Sequence, residues 1–99
     1  MNKLGVGTVP NPQHLKIGCK VVFVSRPDEW SRPSFRVDPL DIEFMDRLIA
    51  RGLPCKISQI NEYGNRWVNV RLKVNNVYEH HSWAIMENSG WRPVKPRTA

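Results

Sequence analysis

Tyr63, Arg66, Trp67, Asn69, Arg71 and Lys73 bring aromatic, amide and cationic side chains together in one short stretch. From Trp67 onward these residues alternate with Val68, Val70, Leu72 and Val74. In an extended strand, successive side chains point to opposite faces. The pattern therefore puts the valines and Leu72 inside and Trp67, Asn69, Arg71 and Lys73 outside, with Tyr63 and Arg66 at the preceding turn. Aromatic rings stack on bases, and Arg or Lys neutralises phosphates. These six residues are the candidate surface for binding DNA or RNA. The competing reading is structural: Trp67 covers a seam of the protein and the charges are simply solvated.

Other reactive residue types do not assemble into a motif. His80 and His81 are adjacent, so on a strand they face opposite ways and cannot share an ion. Neither Cys-x-x-Cys nor His-x-x-x-His spacing occurs, so no metal site or cofactor is expected. Cys19 and Cys55 are too few for a disulfide framework and read as two reduced core thiols. The Gly5-Val6-Gly7-Thr8 run lacks the Lys and the preceding strand of a phosphate loop. Asp28-Glu29 reads as a turn, and the acids between Asp38 and Asp46 suit the start of a helix, whose dipole favours negative charge there. None of these points to catalysis, and the chain is expected not to be an enzyme.

The 99 residues allow one domain, and their net charge is +6. The charge is unevenly spread: residues 1–26, 27–46, 47–76 and 77–99 carry +4, −4, +5 and +1. Outside the acidic segment the balance is +10, a field that attracts polyanions or acidic proteins. The longest strongly apolar run, Val21 to Val24, is far short of the ~20 residues of a membrane helix. Residues 1–10 contain no signal-peptide apolar region, so a cytoplasmic setting is expected.

The elements that would position the candidate surface are mostly strands. Residues 1–14, broken by Gly5, Gly7, Pro10 and Pro12, read as a flexible leader. A strand opens near Leu15-Lys16-Ile17-Gly18 and runs through Val21-Val22-Phe23-Val24. Pro27, Pro33 and Pro39 exclude a central strand from the next stretch, while Trp30 and Phe35 require it to fold over the core. Asp38 and Pro39 form a helix start. Leu40, Phe44 and Leu48, joined by Ile42, Met45 and Ile49, give an apolar helical face over residues 39–51. Phe44 and Leu48 are expected at its buried centre. Gly52 and Pro54 end the helix. Short strands follow over residues 55–60, 67–74, 78–86 and 91–94, with Asn75-Asn76 as a tight turn. Residues 15–94 form the single domain and 95–99 a basic tail.

This order, a strand, a long arm, a meander and a short closing strand, resembles SH3-like small β-barrel domains. The likeness is architectural and rests on Leu15-Lys16-Ile17-Gly18, the meander from Cys55 to Met86, and Ser89-Gly90-Trp91-Arg92-Pro93-Val94. It implies a mainly β, five-stranded barrel with the helix inserted in the first long loop. The Ala-Leu-Tyr-Asp-Tyr signature of eukaryotic signalling domains is absent. An OB-type barrel is the second fold, although its helix usually follows the third strand. Two functions remain open at this level. One is a nucleic-acid-binding module. The other is a protein-interaction module, an adaptor or a small inhibitor of the kind mobile elements such as phages encode, acting through the helix or the acidic arm.

Overall fold

The longest strands build the frame. β3 (Arg66–Val74) and β4 (Val77–Ile85) pair antiparallel without interruption from Arg66↔Ile85 to Val74↔Val77. Asn75 and Asn76 join them at φ 51° and 64°, the left-handed pair that a two-residue hairpin turn requires. In a computed structural model that describes residues 11–95, three further strands complete the sheet: β1 (Lys20–Phe23), β2 (Cys55–Ile60) and β5 (Trp91–Val94). All neighbours are antiparallel, in the order β4-β3-β2-β1-β5. A register shift between Ile57 and Gln59 bends β2. Its first part pairs with β1 and its second part with β3. The sheet is not closed: β4 and β5 are its edges. The protein is thus a mainly β fold with one five-stranded antiparallel sheet and one α-helix.

That helix, α1 (Pro39–Arg51), has the bounds the sequence predicts. The Asp38 carboxylate accepts from the Leu40 N–H at 2.8 Å, satisfying one of the free donors of the first turn. Gly52, at φ 63°, turns the chain out in the left-handed conformation and donates its N–H to the Leu48 carbonyl. The buried centre of the helix is Met45 and Leu48, not Phe44 and Leu48 as the four-residue spacing predicts. The apolar face is broad, and the helix is rotated so that Met45 takes the middle. Phe44 stays half-buried beside His81 and Trp83, with ring centroids 4.8 and 5.2 Å away.

Met45 and Leu48 join Leu15, Val21, Phe23, Cys55, Ile57, Val68, Val70, Leu72, Ile85 and Trp91 in one core. Cys55 is buried, and burial pushes its thiol pKa up, although Arg51 opposes the shift. Cys19 is exposed, contrary to the expectation of two core thiols. It precedes β1, in a turn where its N–H donates to the Lys16 carbonyl, so strand alternation does not direct it inward. Residues 11–14, within the expected leader, include a short 3₁₀ turn (Pro12–His14) with Pro12 buried. Residues 1–10 and 96–99, the rest of the leader and most of the basic tail, lie outside the described residues.

The first half of the arm between β1 and α1 is tied down in two places. Arg26 grips Asp46 of the helix through two bonds, 2.9 and 2.7 Å, which hold the carboxyl below its ordinary range. Farther along, a 3₁₀ turn (Asp28–Ser31) carries Glu29 and Trp30 to the β4–β5 connection. Glu29 accepts from the Asn88 N–H at 2.7 Å and from the Ser89 hydroxyl, while the Trp30 indole donates to Glu87 at 3.0 Å. Gly90 lies beneath this clasp. At φ 87°, with the Ser25 carbonyl 2.7 Å from where a Cβ would stand, it has no room for a side chain.

Glu29 gives the fold an acid-sensitive contact. Partial burial raises its pKa, but the bonds from Ser89 and Asn88 outweigh that, and the net shift is downward. A carboxylate held below its unfolded value contributes stability above that value and loses it as the pH falls through the lowered one. Glu29→Gln should therefore flatten the decline in melting temperature on acidification below about pH 4.5. An unchanged acid limb in that variant would mean the clasp does not depend on the charge.

Candidate nucleic-acid interface

Residues paired across two strands share a face, so the register assigns every side chain to a side. Val68, Val70 and Leu72 are buried on the inner side, which α1 and the arm cover. The outer side of the β3–β4 hairpin shows Trp67 with Ala84, Asn69 with Ser82, Arg71 with His80, and Lys73 with Tyr78. The Ser82 hydroxyl donates to the Asn69 side-chain Oδ1 at 3.0 Å. The Arg71 guanidinium lies 4.5 Å from the Tyr78 ring centroid and the Lys73 ammonium 5.8 Å. A cation over an aromatic face is held by the ring quadrupole. Tyr78 therefore gathers two charges without neutralising them.

Of the six residues singled out by sequence, four share this outer face: Trp67, Asn69, Arg71 and Lys73. Asn69, Arg71 and Lys73 are exposed and Trp67 is half-buried. Trp67 also borders a hollow of about 360 Å³ with Trp30, Phe35 and Trp83. Tyr63 stands apart at the β2–β3 turn, 80% exposed.

Arg66 is committed elsewhere. It pairs with Ile85 on the opposite side of the strand from Trp67. Its guanidinium donates to the Leu15 carbonyl (3.0 Å), the Gln13 carbonyl (3.0 Å) and the Gln13 side chain (3.2 Å), and also to the Gly64 carbonyl. It fastens the segment before β1 to the turn that carries Tyr63. The two histidines separate as strand geometry requires. His80 faces outward opposite Arg71, and His81 faces inward beside Phe44.

The outer face does not end at the hairpin. Lys56 of β2 and Lys20 of β1 are direct Cα partners, and Arg92 of β5 pairs with Val22 of β1. All three cations are exposed. The only carboxylate in any strand, Glu79, sits opposite buried Leu72 and so belongs to the inner side. Among the described residues, the outward strand positions thus carry Lys20, Lys56, Arg71, Lys73 and Arg92 and no acid. The acids of residues 27–46 lie in the arm and α1, and Asp38 and Asp41, with Glu87 of the β4–β5 connection, line the hollow beside Trp67, Ser82 and Ala84 at the β4 edge. Lys20, Lys56 and Arg92 are absent from the sequence-derived set because each is isolated in the chain. Only the pairing of β2 with β1 and of β1 with β5 collects them.

No family model matches the chain, and no curated protein or solved structure is significantly similar to it. Among the described residues no helix is long and apolar enough to cross a membrane, and no three potential ligands cluster to hold a metal.

Proposed function

We propose that this protein is a small non-enzymatic binding module that takes nucleic acid on the outward face of β3 and β4. The observation that carries this reading is the Arg71–Tyr78–Lys73 group on a hairpin whose outward strand positions hold no carboxylate. Phosphates supply the counter-charge that the protein itself does not, and Trp67 and Tyr78 offer rings to bases. Arg66 serves by holding the turn that carries Tyr63. The fold belongs in the same proposal: an SH3-like barrel, open between β4 and β5. The strand order and the bend in β2, which turns the β1–β5 part of the sheet relative to the β3–β4 part, support it.

Titration with mixed DNA and RNA at low and moderate salt tests the reading, and salt-sensitive binding is the expected result. Arg71→Ala and Lys73→Ala should each weaken binding to every sequence and lower the slope of log affinity against log salt by about one unit. Trp67→Ala should cost about 1–3 kcal/mol on single strands, the scale of one stacked base. Melting temperature in the two charge variants should hardly move, because exposed positions change stability by under ~0.5 kcal/mol. Wild-type affinity in folded Arg71→Ala and Lys73→Ala proteins would leave the face with a structural role only.

A second reading rests on the helix. Leu40 is 73% exposed and borders, with Asp41, Glu43 and Phe44, a hollow of about 350 Å³. Arg47 lines the same hollow and pairs with Glu43 at 3.5 Å, which leaves Asp41 and Glu79 as the acids a basic protein partner would meet beside this apolar residue. If no nucleic acid binds at low salt, this reading takes precedence.

A further inference from the structure

We infer that single-stranded nucleic acid runs across the strands, from the β3–β4 hairpin over the Lys20–Lys56 pair to Arg92 on β5. The inference rests on the nucleic-acid reading above and extends its site to strands that reading does not use.

The like-charged pair carries the argument. Lys20 and Lys56 are Cα partners, exposed on the same face. Side chains directly opposite on an antiparallel pair lie about 4.5–5.5 Å apart at Cβ, and like charges there are destabilising. Nothing on the outward face offsets the repulsion. Lys20's other cross-strand partner is Val94, and none of the described strand residues on that face is a carboxylate. Lys56 is one residue beyond the Ile57↔Val68 pair, where β2 passes from β3 to β1. Counting along the strands from that pair, Lys56 comes level with Asn69 of β3, two residues short of Arg71, and has Lys20 on its other side. A chain of phosphates laid across this point would neutralise both lysines and relieve the repulsion.

The dimensions and the aromatic groups choose the ligand. Five strands spaced about 4.8 Å apart span about 19 Å, at most about six phosphates at the 3.4 Å spacing of one stacked strand. Duplex DNA is read by an element entering a groove. This face instead offers strands side-on, with Tyr78 and half-buried Trp67 as platforms. Rings of that kind stack on bases only when those bases are unpaired.

A twelve-residue oligothymidylate, the same sequence as a duplex with oligoadenylate, and the variants Lys20→Gln, Lys56→Gln and Arg71→Ala form the test. On the single strand, Lys20→Gln and Lys56→Gln should each lower the salt slope by about 0.7 and weaken binding about fivefold at 0.1 M salt. In the free protein at low salt, each should raise the melting temperature, since it removes the repulsion. Loss of affinity together with gain of stability is the signature of a charge pair kept for a ligand. Wild-type affinity and slope in both lysine variants, with Arg71→Ala still weakened, would overturn this inference and leave the hairpin reading standing. Equal affinity for the duplex would overturn the single-strand assignment. No binding of either probe by the wild-type protein at low salt would overturn the nucleic-acid reading itself.

Discussion

Leu48→Ala is expected to lower the unfolding free energy by about 2–5 kcal/mol, the range for emptying a well-packed leucine site. Leu48 is 2% exposed and packs in the one core that α1 shares with the sheet. A native domain has only about 5–15 kcal/mol in total. At roughly 4–8 °C per kcal/mol for a domain of this size, the melting temperature should fall by at least about 8 °C. Phe44→Ala should cost less, because Phe44 is half-buried and its neighbours Trp83 and His81 can close over part of the gap. Thermal unfolding of the two variants side by side checks both points. A larger fall for Phe44→Ala would put the helix axis about one residue away from the orientation described.

Arg66→Ala is expected to cost about 1.5–3 kcal/mol, the worth of a hydrogen bond to a charged group when its acceptors keep little other satisfaction. The figure stays at that level, despite four acceptors, because the site is only partly covered. Arg66→Lys should not restore the stability. One ammonium cannot reproduce the planar fork that reaches Leu15, Gln13 and Gly64 at once. The salt slope for an oligonucleotide should be unchanged in the folded Arg66→Ala protein, in contrast to Arg71→Ala. Denaturant midpoints and salt titrations on the same samples separate the two arginines. A wild-type midpoint with a reduced salt slope would make Arg66 a phosphate ligand instead of a fastener.

The helix and the hairpin were legible because each is written in local signals. Asp38, Pro39 and Gly52 mark the ends of α1, and the alternation of Val68, Val70 and Leu72 marks the inner side of β3. The outward set of Trp67, Asn69, Arg71 and Lys73 followed from the same alternation. What could not be read depends on contacts between distant residues. Met45 displaces Phe44 because the sheet selects which part of a broad apolar face to bury. Arg66 looks like its basic neighbours until Gln13 and Leu15 arrive from some fifty positions away. Lys20, Lys56 and Arg92 become one surface only through strand order, which no short stretch of chain encodes. The open edge at β4 likewise depends on how far β2 bends at Ile57.

The place of β1 between β2 and β5 sets an order of events for the folding chain. Nine consecutive pairs closed by two asparagines let β3 and β4 form on the microsecond scale of isolated hairpins. β5 has no partner except β1, which lies near the other end of the domain, and its four residues offer few bonds in return for closing so long a loop. The Glu29 clasp, which reaches from the arm to Asn88 and Ser89 some sixty positions on, must wait for the same closure. The hairpin with Arg71 and Lys73 therefore stands early, whereas the far end of the cationic surface, at Arg92, exists only after the last long-range pairing.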